Sequence, residues 1–276
     1  AIMGRWIALG WERSPLGYPA SDEYAIPGGR QSNFQHGTIS WNAATGATRI
    51  SVGCPGNDFG YFGVDPNVMI NDGGGNQLIT VVDPGSSSLA GTLSAWDRLP
   101  TGCWVPHAFA GQPPPPYRAE TGYGGIKPLG ARTGGDGSTP AGVFGFGNTM
   151  YGVSGAAANP AYGYQHLTCG SWWDEAPGSP TYDSFQQYPC GVTPAFAWSA
   201  EALWTETVAY VHFADILTPH PPENSSGIFL HDDTTAGDTA GCVALPPGEL
   251  DAVLAWMNPG AQPHIAIGTA ATMSSL

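Results

Sequence analysis

The chain has 276 residues, enough for one large domain or a large domain with a small companion, and too many for a scaffold held by disulfides alone. Charged residues make up only 11%, while 40 glycines and 26 prolines accompany a 42% hydrophobic fraction, which excludes strong disorder and points to short strands joined by tight turns. A net charge of −14 would repel a polyphosphate backbone, so no nucleic-acid partner is expected, and no apolar run approaches the roughly 20 residues of a membrane span.

The first residues lack a basic region, an apolar stretch and a cleavage site in succession, and the chain reads as soluble and already processed. Between residues 11 and 48, turn signals at Ser14-Pro15, Gly28-Gly29 and Thr45-Gly46 separate scattered aromatics, which suits a small module. Three words in it, Pro15-Leu16-Gly17-Tyr18-Pro19, Phe34-Gln35-His36-Gly37 and Trp41 with Thr45-Gly46-Ala47, resemble the LGFP repeat of actinobacterial cell-wall proteins, with Tyr18 in place of the phenylalanine. The resemblance implies attachment to the cell envelope through residues 14–48; on the residues alone, a packing subdomain without a ligand accounts for the pattern equally well. Residues 1–53 are assigned to this module. Residues 54–76, with Cys54-Pro55-Gly56 and Gly73-Gly74-Gly75 and no sustained period, form a connector, and 77–276 a second domain.

In that second domain Leu78–Val82 is an apolar run of strand length and Thr92–Trp96 alternates like a half-buried strand. Pro113–Pro116 is a stiff loop, and Val208–Phe213, Gly227–His231 and His264–Gly268 read as three further strands. One helix stands out, because Leu250, Val253, Leu254 and Met257 recur at i, i+3, i+4 and i+7. Pro247 suits its start, Glu249 and Asp251 its positive end, and Asn258-Pro259-Gly260 its stop. The expected fold class is mainly β with at least one packed helix.

Five cysteines leave one unpaired. Cys54, Cys103, Cys169 and Cys190 lie in turn-rich surroundings, so pairs Cys54–Cys103 and Cys169–Cys190 are preferred among the three possible sets, which suits an oxidising compartment. Cys242 remains, in Thr239-Ala240-Gly241-Cys242 beside an apolar segment. A thiol nucleophile needs a base near its sulfur, and His231 ends the preceding predicted strand. A hairpin through the loop 232–238 would bring the two together, although a His and a Cys eleven residues apart are also common without any joint role. No Cys/His set has zinc-ligand spacing, so neither metal nor cofactor is expected.

The words Ser226-Gly227-Ile228-Phe229-Leu230-His231 and Thr239-Ala240-Gly241-Cys242-Val243-Ala244-Leu245 resemble the active-site signature of L,D-transpeptidase (YkuD-type) catalytic domains. Lys127–Gly130, Gly135–Phe144, Trp173 and Pro177–Asp183 extend the likeness, which runs from about Leu78 to Gly268. It implies a β-rich, secreted or wall-associated enzyme that acts on peptidoglycan stem peptides. In that reading His231 takes the thiol proton, the Cys242 thiolate forms a thioester, and the amides of Gly241 and Cys242 hold the oxyanion. The carboxylate or carbonyl of Asp232 orients the imidazole, and Thr239 and Ala240 border the substrate. Two departures stand out: Ala240 replaces a second histidine, and no arginine follows Cys242, which removes a grip on a substrate carboxylate. A hydrolase on the same thioester, an L,D-carboxypeptidase or endopeptidase, and an idle wall-binding protein remain alternatives. Asp136 and Thr139 in the Gly-Asp-Gly-Ser-Thr-Pro turn, and Trp172 and Trp173, are read as turn-forming and packing residues.

Overall fold

The computed structural model describes the chain except for residues 15, 36, 53–63, 65, 86–89, 101, 114, 221–222 and 235–236. It divides into two compact units, residues 1–59 with 98–105 and residues 60–97 with 106–276. Residues 54–63 and 65 of the expected connector, and with them Cys54 of the expected Cys54–Cys103 pair, lie outside the described residues.

The first unit opens with a short helix, α1 (Ile2–Ala8), which sequence periodicity alone does not signal. Four antiparallel strands follow in sequential order: β1 (Tyr24–Ile26), β2 (Gly29–Phe34), β3 (Gly37–Asn42) and β4 (Thr48–Val52). Ile2, Trp6, Leu16, Phe34 and Ile39 form its core, and the Trp6 indole donates to Gly17 O at 3.1 Å. Leu16 and Phe34 of the repeat-like words are therefore core residues, whereas Tyr18 is exposed.

The second unit is mainly β. Its strands are β5 (Gln77–Asp83), β6 (Ala90–Arg98, all but its last residue), β8 (Tyr117–Glu120), β9 (Ile126–Pro128), β10 (Thr139–Gly152), β11 (Gly163–His166) and β12 (Ser171–Asp174), while β7 (Trp104–Pro106) belongs to the first unit but for Pro106. They continue as β13 (Ser184–Gln187), β14 (Ala200–Ala202), β15 (Phe213–Leu217), β16 (Phe229–Asp232), β17 (Val243–Leu245) and, after helix α2 (Pro247–Trp256), β18 (His264–Thr269). The main sheet runs β11-β10-β15-β16-β17-β8-β6-β5-β18, and β18 pairs back onto β10, which closes the ring. Strands β13-β12-β14 form a separate sheet, and the bonded Cys169–Cys190 pair, 5.2 Å apart at Cα, brackets β12 and β13. The main core joins Ile79, Val81, Leu93, Leu230, Val243 and Leu245 from the sheet to Leu250, Val253, Leu254 and Met257 from the helix end. Burying each such aliphatic side chain contributes about 2 kcal/mol.

Two local expectations are corrected. The apolar run Val208–Phe213 is not a strand: residues 207–212 turn, and β15 starts only at Phe213. Val208 and Val211 are exposed while Tyr210 and Phe213 point inward, so the run lacks the period of two that a paired strand requires. The segment from His231 to Cys242 is not a hairpin either, because β16 and β17 are parallel, with Leu230 opposite Val243 and His231 opposite Ala244. Thr239 pairs with the 121–123 segment, exchanging bonds between Thr239 N and Thr121 O and between Tyr123 N and Thr239 O. That detour lets the chain re-enter in the same direction.

Candidate active site

The alternation of β16 decides which residues meet. Ile228, Leu230, Val243 and Leu245 enter the main core, so Phe229 and Cys242 fall on the opposite face, in a second cluster with Trp173, Leu203, Tyr210 and Phe213. His231 follows Phe229 by two residues and shares that face; its ring lies 5.5 Å from that of Tyr210, nearly perpendicular. Cys242 and His231 open on one cavity of about 490 Å³, whose wall also includes Thr239, Ala240, Arg132, Glu175 and Glu201.

Cys242 is a free, buried thiol. Its Sγ accepts from the Phe229 N–H at 3.3 Å and donates to Gly227 O at 3.2 Å. Burial, reinforced by the nearby Glu201 charge, raises its pKa well above the usual thiol range. His231 is also buried, and desolvation lowers its pKa to about 4 although its bond to Asp232 opposes that fall. Both groups are therefore neutral at pH 7.

The imidazole is held at Nδ1 by the Asp232 backbone carbonyl at 2.7 Å, which leaves Nε2 for proton transfer. The carbonyl, not the carboxylate, is the orienting group. The Asp232 carboxylate instead accepts from the His212 N–H at 3.2 Å, and burial raises its pKa to about 6.

The loop before Cys242 is fastened by hydroxyls. Thr239 Oγ1 donates to Cys242 O at 2.8 Å and accepts from the Gly241 N–H at 3.1 Å, while Thr139 Oγ1 lies 3.4 Å from the same carbonyl. The Gly241 amide is thus engaged by Thr239 rather than turned to the cavity. Gly241 adopts φ +140°, which strains any side chain, and a Cβ there would crowd Ser138 O at 3.0 Å. Trp173 packs edge-on to Phe229 at 4.8 Å, as expected of a core aromatic.

Several groups in this wall carry no local sequence signal. Arg132 lines the cavity and is buried. Glu201 accepts from Tyr210 Oη at 2.6 Å, and burial raises its pKa to about 7. Burial, with the charges of Glu201, Asp183 and Asp174, raises Glu175 to about 8. Glu206 and Asp238 add to the same wall. Asp183 accepts from the Trp173 indole at 2.7 Å and the Gly227 N–H at 2.8 Å, which ties down the residue whose carbonyl accepts from the Cys242 thiol.

Compared with known families, the model described as L,D-transpeptidase catalytic domain (YkuD) matches residues 110–265, more than half of the chain. The model of the LGFP repeat matches residues 16–53. No curated protein matches.

Proposed function

Because the chain belongs to the L,D-transpeptidase catalytic domain family, we propose that it is a peptidoglycan L,D-transpeptidase with Cys242 as nucleophile and His231 as general base. The observation that carries this reading is the meeting of a free buried thiol and an oriented, neutral imidazole in one cavity. His231 Nε2 takes the thiol proton as Sγ bonds to the carbonyl carbon of the stem peptide's third residue. The same proton passes to the departing amine as the C–N bond breaks, leaving a thioester. The Cys242 N–H is the donor for the oxyanion, since the Gly241 amide is taken by Thr239. In the second half, an amine acceptor attacks the thioester and Cys242 regains its proton. Glu206 and Asp238 in the lining favour entry of a cationic acceptor, a more local argument than the net charge.

Residues 1–53 serve as the wall-associating module, with contact to the envelope through 14–48. Residues 77–276 serve as the catalytic domain of a secreted, wall-located protein. No helix among the described residues is long and apolar enough to cross a membrane. The transfer reading is tested by incubating the protein with a tetrapeptide donor and a graded amine or D-amino acid. Joined or exchanged peptides should exceed tripeptide and rise with acceptor. Tripeptide as sole product across a tenfold range of acceptor would make the protein an L,D-carboxypeptidase.

A further inference from the structure

Arg132 is the only Lys or Arg among the described residues that line the cavity around Cys242, and its side chain is more than nine-tenths buried. Its guanidinium is held by uncharged acceptors alone: Nε donates to Ser138 Oγ at 3.1 Å, Nη2 to Ser138 O at 2.7 Å and Nη1 to Asn224 O at 2.9 Å. Among the described residues no carboxylate lies within 4.0 Å of it. The nearby Asp136 is committed elsewhere, to Ser138 N–H and Oγ, Thr133 N–H and Lys127. A buried cation without a counterion is an expensive arrangement unless an anion completes it. Two of the five guanidinium N–H donors have no acceptor among the described residues, so the fork retains capacity for one.

The guanidinium is also built into place. Asn224 Nδ2 straps the turn before it through Leu129 O at 2.7 Å and Arg132 O at 3.1 Å, and Asp136 fixes the Ser138 that holds it. It borders the loop of the nucleophile, since a Cβ on Gly241 would lie 3.6 Å from Nη2. Its charge lowers the Cys242 pKa, against Glu201 and Glu175, which raise it.

We propose that Arg132 is the receptor for the free carboxylate that ends the donor peptide, the carboxylate of the residue that departs when Cys242 is acylated. This rests on the transpeptidase reading, whose tetrapeptide donors already carry one residue after the scissile bond, and names the side chain that reads that end. The Gly-Asp-Gly-Ser-Thr-Pro turn, through Asp136 and Ser138, then serves to aim Arg132.

The test is equilibrium binding to the Cys242→Ala protein, where no chemistry occurs, of a stem tetrapeptide with a free C-terminal carboxylate and of the same peptide as its C-terminal amide. The free acid should bind at least tenfold more tightly. Arg132→Gln in that background should bring the two affinities together by weakening the acid alone, and Arg132→Lys, which keeps the charge but loses the fork, should retain part of the preference. Equal binding of acid and amide to Cys242→Ala, or a preference that survives Arg132→Gln, would overturn the proposal; so would equal loss of both ligands, the mark of a structural role. If Arg132→Gln does not fold, the comparison rests on Cys242→Ala and Arg132→Lys, where an unchanged ratio counts against it. Failure of the wider reading shows separately, as a wild-type protein that discriminates acid from amide but forms no covalent adduct with the acid.

Discussion

Behind Arg132 in the lining of the cavity, Asp136 accepts from the Ser138 N–H and hydroxyl, the Thr133 N–H and Lys127; elsewhere in that lining, Glu201 has the Tyr210 hydroxyl and Glu175 has no side-chain donor among the described residues. Burial pushes all three toward neutrality, but the donors around Asp136 outweigh it and hold that carboxyl well below the usual range. The glutamates rise to about 7 and 8. Donor supply, rather than residue type, decides which acid stays charged. Asp136 is thus a fixed, fully ionised brace for Arg132, and the two glutamates can exchange protons near neutral pH.

The largest expected effect lies at the dyad. His231→Gln should slow acylation by about 10²–10⁴-fold, because a neutral thiol then has no base to receive its proton. In the wild type, the acid limb of kcat/KM should fall near pH 4 rather than 6.5, since burial keeps the imidazole unprotonated down to that point. A limb at 6.5, or near-normal acylation by the variant, would mean that the dyad is not isolated as described.

Next in size is the brace. Asp136→Ala strips two donors of Ser138 and the Lys127 ammonium of their acceptor and loosens Arg132, and it should cost roughly 2–4 kcal/mol in urea denaturation. A cost under about 0.5 kcal/mol would remove the contrast with the glutamates.

The smallest effect concerns those glutamates. Glu201 and Glu175 have folded pKa values above the unfolded value of about 4.3, so the folded state binds more protons than the unfolded one between these limits. Their contribution is fully favourable below the unfolded pKa and is lost as pH rises through about 7 and 8. Glu201→Gln should therefore stabilise the protein at pH 9 by about 1–2 kcal/mol and flatten the decline that the wild type shows between pH 5 and 9. Parallel stability curves for the two proteins would refute the assignment.

What the sequence disclosed follows the range of its signals. Strands β5, β6 and β18 and helix α2 were legible because period and apolar content agree over five to ten residues. Cys242 stood out as the odd thiol, and His231 as the end of an apolar strand. The parallel pairing of β16 and β17 was hidden because it depends on Thr239 bonding to a segment more than a hundred residues earlier. Arg132 lies in Gly-Ala-Arg-Thr-Gly-Gly and Glu201 in Ala-Glu-Ala, with nothing local to mark either as buried beside a thiol. The run Val208–Phe213 misled for the converse reason: its apolar content is that of a strand, but its residues alternate irregularly between solvent and core.

The central claim is that Cys242 carries the acyl group, and intact-mass measurement tests it most directly. After brief incubation with a tetrapeptide donor in the absence of an amine acceptor, the wild-type protein should gain the mass of the donor minus that of the free amino acid released, mapped by digestion to the peptide containing Cys242. The mass should revert on addition of hydroxylamine, and Cys242→Ala should gain nothing. An adduct that persists in Cys242→Ala, or turnover of donor by that variant, would contradict the account.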